Sequence, residues 1–203
     1  MPLVGLCGAT LLFSACGNVT LIPVRRSDSG INVRVTAQFA APPTAEQFAD
    51  TYGLIVSGTV TQVLDAQWTT PNGKRPSDVI SADVPNTYAI ITPAMVTLDG
   101  PALVDRTGVD LSSGSILVAT LGGTVGKDVI TTNDPSQHLN VGDHLLIGLI
   151  DRSRSTAAGP AWSVGLIYRL TADGEAIVAI PDATPVPAQP LLQAVKDAGS
   201  TRP

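Results

Sequence analysis

Thiols are nearly missing from this chain. Of 203 residues only Cys7 and Cys16 are cysteine, and both precede Gly17. The body beyond them therefore holds neither a disulfide framework nor a cysteine-based metal site. Histidine occurs only as His138 and His144, and aromatics make up 4% of the residues. Lysine is confined to Lys74, Lys127 and Lys196, and twelve cations stand against seventeen carboxylates for a net charge of -5. No window carries more than two adjacent basic residues. A contiguous phosphate-neutralising stripe is thus excluded, and nucleic acid is not an expected partner.

Catalytic signatures are equally sparse. No G-x-S-x-G elbow is present, and the two histidines are the only candidate imidazole bases. They sit in "NDPSQHLNVGDHLLIG" beside Asp134 and Asp143. Zinc needs three or four placed ligands, and a six-residue spacing across a turn puts these two imidazoles on no common helix face. A solvent-exposed turn entering a strand is the expected structure, with no metal and no cofactor. In "LGGTVGKD" the phosphate-loop spacing fails and Asp128 stands where Ser or Thr would hold magnesium, so the glycines are expected to make a strand-to-strand turn. Asp65, Asp83, Asp99, Asp105 and Asp110 sit mostly beside Gly, Pro or Asn, where Asp is a routine turn residue. "DRTGVD" lacks the regular ligand pattern of a calcium loop. No catalytic residue is assigned. Trp68, Trp162 and Tyr168 would make a carbohydrate or peptide platform if they shared a face, with core packing as the alternative.

What is present is a body rich in Val, Thr, Ile and Gly, with 16 prolines and 44% hydrophobic residues. Branched side chains suit a pleat and lose rotamer freedom in a helix, so the expected class is mainly β in one domain. Residues 54–68 alternate in polarity, with Gly58 breaking the pattern as at a bulge. Further strands are expected in "TYAIITPAMVTLDG", "SILVATLGG", "HLLIGLID" and "WSVGLIYRLTADGEAIVAI", with a polar loop carrying Asn72 and Gly73 after the first. Five or six strands without a helical period between them predict an antiparallel barrel or sandwich. "PTAEQFADTYG" predicts one short helix before the first strand, capped by Thr44 and Gln47 and stopped at Gly53. The Pro-rich tail, residues 181–203, holds a short amphipathic piece over residues 191–198.

Residues 3–15, "LVGLCGATLLFSA", are uncharged and too short to cross a bilayer as a helix. With Phe13, Ser14, Ala15 and Cys16 they resemble the signal and lipobox of bacterial lipoproteins. That resemblance implies a signal peptide over 1–15, a diacylglycerol and often a further acyl chain such as palmitate on Cys16, and a place on the extracytoplasmic face of the cell membrane. Residues 16–43 are expected as a tether holding one strand over 31–37, and residues 44–180 as the β domain. Over residues 52–150, "YGLIVSGTVTQV", "NTYAIITPAMVTLDG", "GSILVATLGG" and "LNVGDHLLIGLI" resemble OB barrels of the netrin and tissue-inhibitor-of-metalloproteinases type. This implies an OB-like barrel. The disulfides and zinc-chelating N-terminal Cys of those inhibitors have no counterpart here, so protease inhibition is not implied. The expected role is a membrane-anchored binding or assembly module with a protein partner in the envelope. The alternatives are a hydrolase using a carboxylate pair, or a subunit of a larger surface assembly.

Overall fold

A computed structural model describes residues 20–27, 30–37, 41–76, 88–150 and 154–200. Among these, the order of elements is β1 (Thr20–Ser27), β2 (Gly30–Thr36), α1 (Ala45–Thr51), β3 (Leu54–Val63), β4 (Gln67–Trp68), β5 (Ile90–Leu98), β6 (Val104–Asp105), β7 (Ser115–Leu121), β8 (Gly123–Val125) and β9 (Asp128–Thr132). A 3-10 turn (Pro135–Gln137) leads to β10 (His144–Leu149), β11 (Arg154–Thr156), β12 (Gly159–Leu170), β13 (Glu175–Val178), β14 (Val186–Pro187) and α2 (Ala188–Ser200). The protein is mainly β, as its composition predicts.

The strands form two sheets. In the larger, β10, β3, β5, β7, β12, β13 and β14 follow in order, β10 also pairs with β12, and the short β4, β6 and β11 attach to its members. Its pairings are antiparallel except that of β7 with β12, which is parallel. The smaller sheet runs β1, β2, β9, β8, with β2 and β9 parallel.

The near-continuous apolar runs of β10 and β12 follow from burial on both faces. Leu145, Ile147 and Leu149 share one cluster with Leu54, Val56, Val96, Val118 and Val164. On the other face Leu146, Leu166 and Tyr168 pack with Ile55 beneath the helices. Between β10 and β12 the register shifts after Gly148, so that Leu149 pairs with Val164 and Gly165 is the extra residue. A one-residue slip would send every later side chain to the wrong face, and the bulge restores Val164 to the first cluster. Gly148 and Gly165 also leave room for Tyr52. A Cβ at either position would lie 2.4 or 2.3 Å from its ring.

Several expectations change in detail. Thr44 and Gln47 do form a capping box. However, α1 ends at an extended Tyr52 before reaching Gly53, and Arg106 Nη1 donates to the Ala49 carbonyl at 2.9 Å in its last turn. The bulge of β3 falls between Val60 and Gln62 rather than at Gly58. Gly58 instead allows close approach, because a Cβ there would lie 2.3 Å from the Thr97 carbonyl oxygen. The segment read as tether contributes both β1 and β2, and β2 is zipped to β9. The tail forms a thirteen-residue α2 whose Val195 is fully buried against the cluster that holds α1.

Candidate functional site

The residues joining the two sheets leave a groove of about 400 Å³, within the range typical of small-molecule sites. It forms because β7 runs into Gly122 and Gly123, whose φ values of 113° and 134° turn the chain from one sheet into the other. A Cβ on Gly123 would lie 2.4 Å from Ala66, so no larger residue makes this step without displacement. One wall is the β8 and β9 hairpin with Thr124 and Val129, and the other is the chain after the 3-10 turn, with Leu139 and Asn140. Thr92, Ala94 and Thr120 form the floor.

The floor is rigid because its polar atoms are tied to backbone. Thr92 Oγ1 donates to the Gly122 carbonyl at 2.8 Å, and Thr120 Oγ1 donates to the Thr92 carbonyl at 3.1 Å. Gln137 accepts from the Leu121 N–H at 2.7 Å and donates to the Val164 carbonyl at 3.3 Å. The parallel pairing of β7 with β12 spans Trp162 with Val118 and Ser163 with Ala119, so this side chain splints the strands beyond it. His138 Nε2 lies 3.3 Å from the Thr132 carbonyl. A carbonyl only accepts, so Nε2 is the donor in this contact. Among the described residues, no Asp, Glu, Lys or Arg lines the groove.

The residues singled out in the sequence do not converge. His144 Nε2 meets Asp99 Oδ2 at 2.8 Å, both side chains being exposed. Asp143 pairs with Arg169, which also donates to the His138 carbonyl at 2.6 Å. Asp134 caps the 3-10 turn by accepting from Ser136 N–H at 2.8 Å, and its burial pushes its carboxyl above the usual range despite that bond. Among the described residues no three of His, Cys, Asp and Glu gather as a metal-binding group.

Asp105 is occupied by its own turn, accepting from the Thr107 N–H and hydroxyl and the Gly108 N–H. Slight burial acts to raise its pKa, but those bonds together hold it below the usual value. The Ser112 N–H and hydroxyl lower that of Asp110. Asp65 is exposed, and Asp83 lies outside the described residues.

The three aromatics are buried in three separate clusters: Trp68 with Val33, Ile90 and Ile130, Trp162 with Val118 and Val164, and Tyr168 with Phe48 and Tyr52. They share no exposed platform. Tyr168 meets Phe48 edge-on at 5.3 Å, donates to the Pro43 carbonyl at 3.3 Å, and is pushed up to about 12 by burial. Cys16 and the segment before it lie outside the described residues. Among the described residues no helix is long and apolar enough to cross a membrane. The sequence reading did not find the groove. Its signals were the Gly122–Gly123 step and threonines at positions where a core strand would carry aliphatics.

No protein-family model matches the chain, and no curated protein matches it either.

Proposed function

We propose that the chain is an envelope lipoprotein, anchored through acylated Cys16, whose body is an OB-like barrel acting as a binding module. The observation that carries the binding role is the uncharged groove of about 400 Å³ with a hydrogen-bonded floor. It offers shape, apolar wall and neutral polar atoms, while Asp99, Asp105, Asp110 and Asp143 are engaged separately in turns and ion pairs. The OB-like reading is supported by the pairing order β10, β3, β5, β7, β12 and again β10, which is that of a five-stranded ring. Anchoring is supported by the lipobox-like "FSAC" after an uncharged apolar run. The assembly alternative draws on the outer edge of β1, which has no strand partner among the described residues.

Two readouts test the parts separately. Intact mass of the chain from native membranes should start at Cys16 and carry a diacylglycerol, and the Cys16→Ser variant should lose it. An unmodified chain retaining residues 1–15 overturns the anchor. A photo-crosslinker replacing Asn140 on the groove wall should capture a discrete adduct in the envelope, whereas one at exposed Asp173 should not. Equal labelling at both positions removes the groove from the function.

A further inference from the structure

We propose that the smaller sheet is a basic face that lies against an anionic lipid surface, an orientation that rests on the anchor reading for its direction. Strand pairing gathers cations that are scattered in the sequence. Arg25 and Arg26 occupy β1 positions between the Val24–Asn32 and Ser27–Gly30 pairs, and Arg34 on β2 stands opposite Thr131 on β9. Lys127 is in the two-residue turn joining β8 and β9. Its neighbour Asp128 accepts from the Ile31 N–H at 2.8 Å and meets Arg75 at 3.3 Å, which fastens the turn holding Lys74 and Arg75 to the same end of the sheet. Arg34, Lys74, Arg75 and Lys127 are exposed.

The resulting asymmetry is large for an acidic protein. Among the described side chains of this sheet and its attached turn, Arg34, Lys74, Arg75 and Lys127 are exposed, while the carboxylate beside them, Asp128, is buried and paired with Arg75. The chain as a whole carries twelve cations against seventeen carboxylates. Acidic groups gather elsewhere, as in the cleft between α1 and α2 with Glu46, Asp50 and Asp197. The helices pack on β6, β13 and β14, while β8 and β9 pack on β4, β5 and β7. A surface bearing one sign of charge on a molecule of the other sign orients it in a field.

Chain length selects a membrane over other polyanions. Only residues 17–19 separate Cys16 from the first residue of β1. Four residue steps reach about 14 Å when fully extended. An acyl chain on Cys16 would therefore hold the Thr20 end of this sheet, with Arg34 opposite Ile22 near it, within one or two Debye lengths of the headgroups, and laying the sheet flat would bring the cations of its other end to the same surface, where each adds to binding. The sheet would be the docking face, and the acidic remainder of the body would be kept outward.

The test uses the full chain carrying Cys16→Ser, so that sheet binding is read without the lipid, beside vesicles of phosphatidylcholine alone or with a third replaced by phosphatidylglycerol. Sedimentation with the anionic vesicles, release by salt and no binding to the neutral ones are expected. Removing Arg34, Lys74 and Lys127 as Gln should weaken partitioning about fivefold per charge, roughly a hundredfold together, with the melting temperature unchanged. Lys196→Gln on α2, equal in charge to Lys127→Gln, should have no effect. Equal binding to both vesicles, no binding, or the same loss for Lys196→Gln overturns the proposal, and so does tighter binding to duplex DNA than to anionic vesicles at equal salt. Failure of the anchor is read separately from intact mass. An unacylated chain that still binds anionic vesicles through these three cations would sink the anchor and keep the basic face.

Discussion

The two sheets are stabilised by different means. The larger has a large apolar cluster on each face of β10 and β12 and a smaller one of Ile91, Ala119 and Ala161, with Leu54, Ile55, Leu145, Leu146, Ile147 and Leu149 at zero exposure. The smaller has a single cluster, where Val33, Val35 and Ile130 meet Trp68 and Ile90, and it is fastened at one end by the polar knot of Asp128, Ile31 N–H and Arg75. Burial of apolar area contributes about 25 cal/mol per Å², so stability is concentrated in the larger sheet. Exposed cations mark the smaller, with Arg34 on β2 and Lys127 in the turn before β9. The division teaches that the fold and the proposed membrane contact depend on different residues, and substitutions can separate them.

The largest expected effect lies where Tyr52 crosses Gly165. Gly165→Ala places a methyl 2.3 Å from the Tyr52 ring at the bulge of β12, and overpacking of this kind costs about 3 kcal/mol. Thermal unfolding should shift by that amount as a whole. A variant melting with the native protein would show that the ring is not wedged there, and the larger sheet would lose its claim to be the rigid part.

Alkali tests the same region by charge. Burial pushes the Tyr168 phenol up to about 12, against about 10 in the unfolded chain. The neutral phenol is thus favoured by the fold. Its contribution is complete below pH 10 and is lost as the pH rises through 12, amounting to roughly 2 kcal/mol. Urea titrations across that window should show the decline, and Tyr168→Phe should flatten it. An equal slope in the variant would assign the alkaline loss to other groups.

The smaller sheet should respond locally. Asp128→Ala strands the Ile31 N–H and frees Arg75, at a cost of about 2 kcal/mol, moderated because Arg75 is 45% exposed. Hydrogen exchange should rise over residues 30–36 while protection of β10 is retained. Uniform loss over both sheets would abolish the distinction between them.

The sequence was legible wherever local chemistry decides structure. Thr44 and Gln47 announce the helix they cap, Asn72 and Gly73 their turn, and the β-prone runs at 90–98, 115–121 and 144–149 match strands. It was illegible where one element depends on a distant one. Nothing near Ile31 tells that β2 will pair with β9 almost a hundred residues away, so the stretch read as a tether. The same pairing sets Arg34 opposite Thr131, on the strand that Lys127 precedes, a neighbourhood no local pattern announces. Asp99 and His144, 45 residues apart, likewise gave no sign of meeting, and the nearer Asp143 takes Arg169 instead.

That last pair marks the smallest effect. His144 and Asp99 approach to 2.8 Å, but their side chains are 44% and 43% exposed. Water screens both groups and competes for each, so such a pair contributes at most about 0.5 kcal/mol. His144→Ala should leave the melting temperature almost unchanged, since Leu145 and Leu146 beside it keep β10 buried on both faces. A loss comparable to that of Asp128→Ala would mean that polar fastening also matters in the larger sheet, and the contrast between an apolar body and a polar-fastened basic sheet would narrow accordingly.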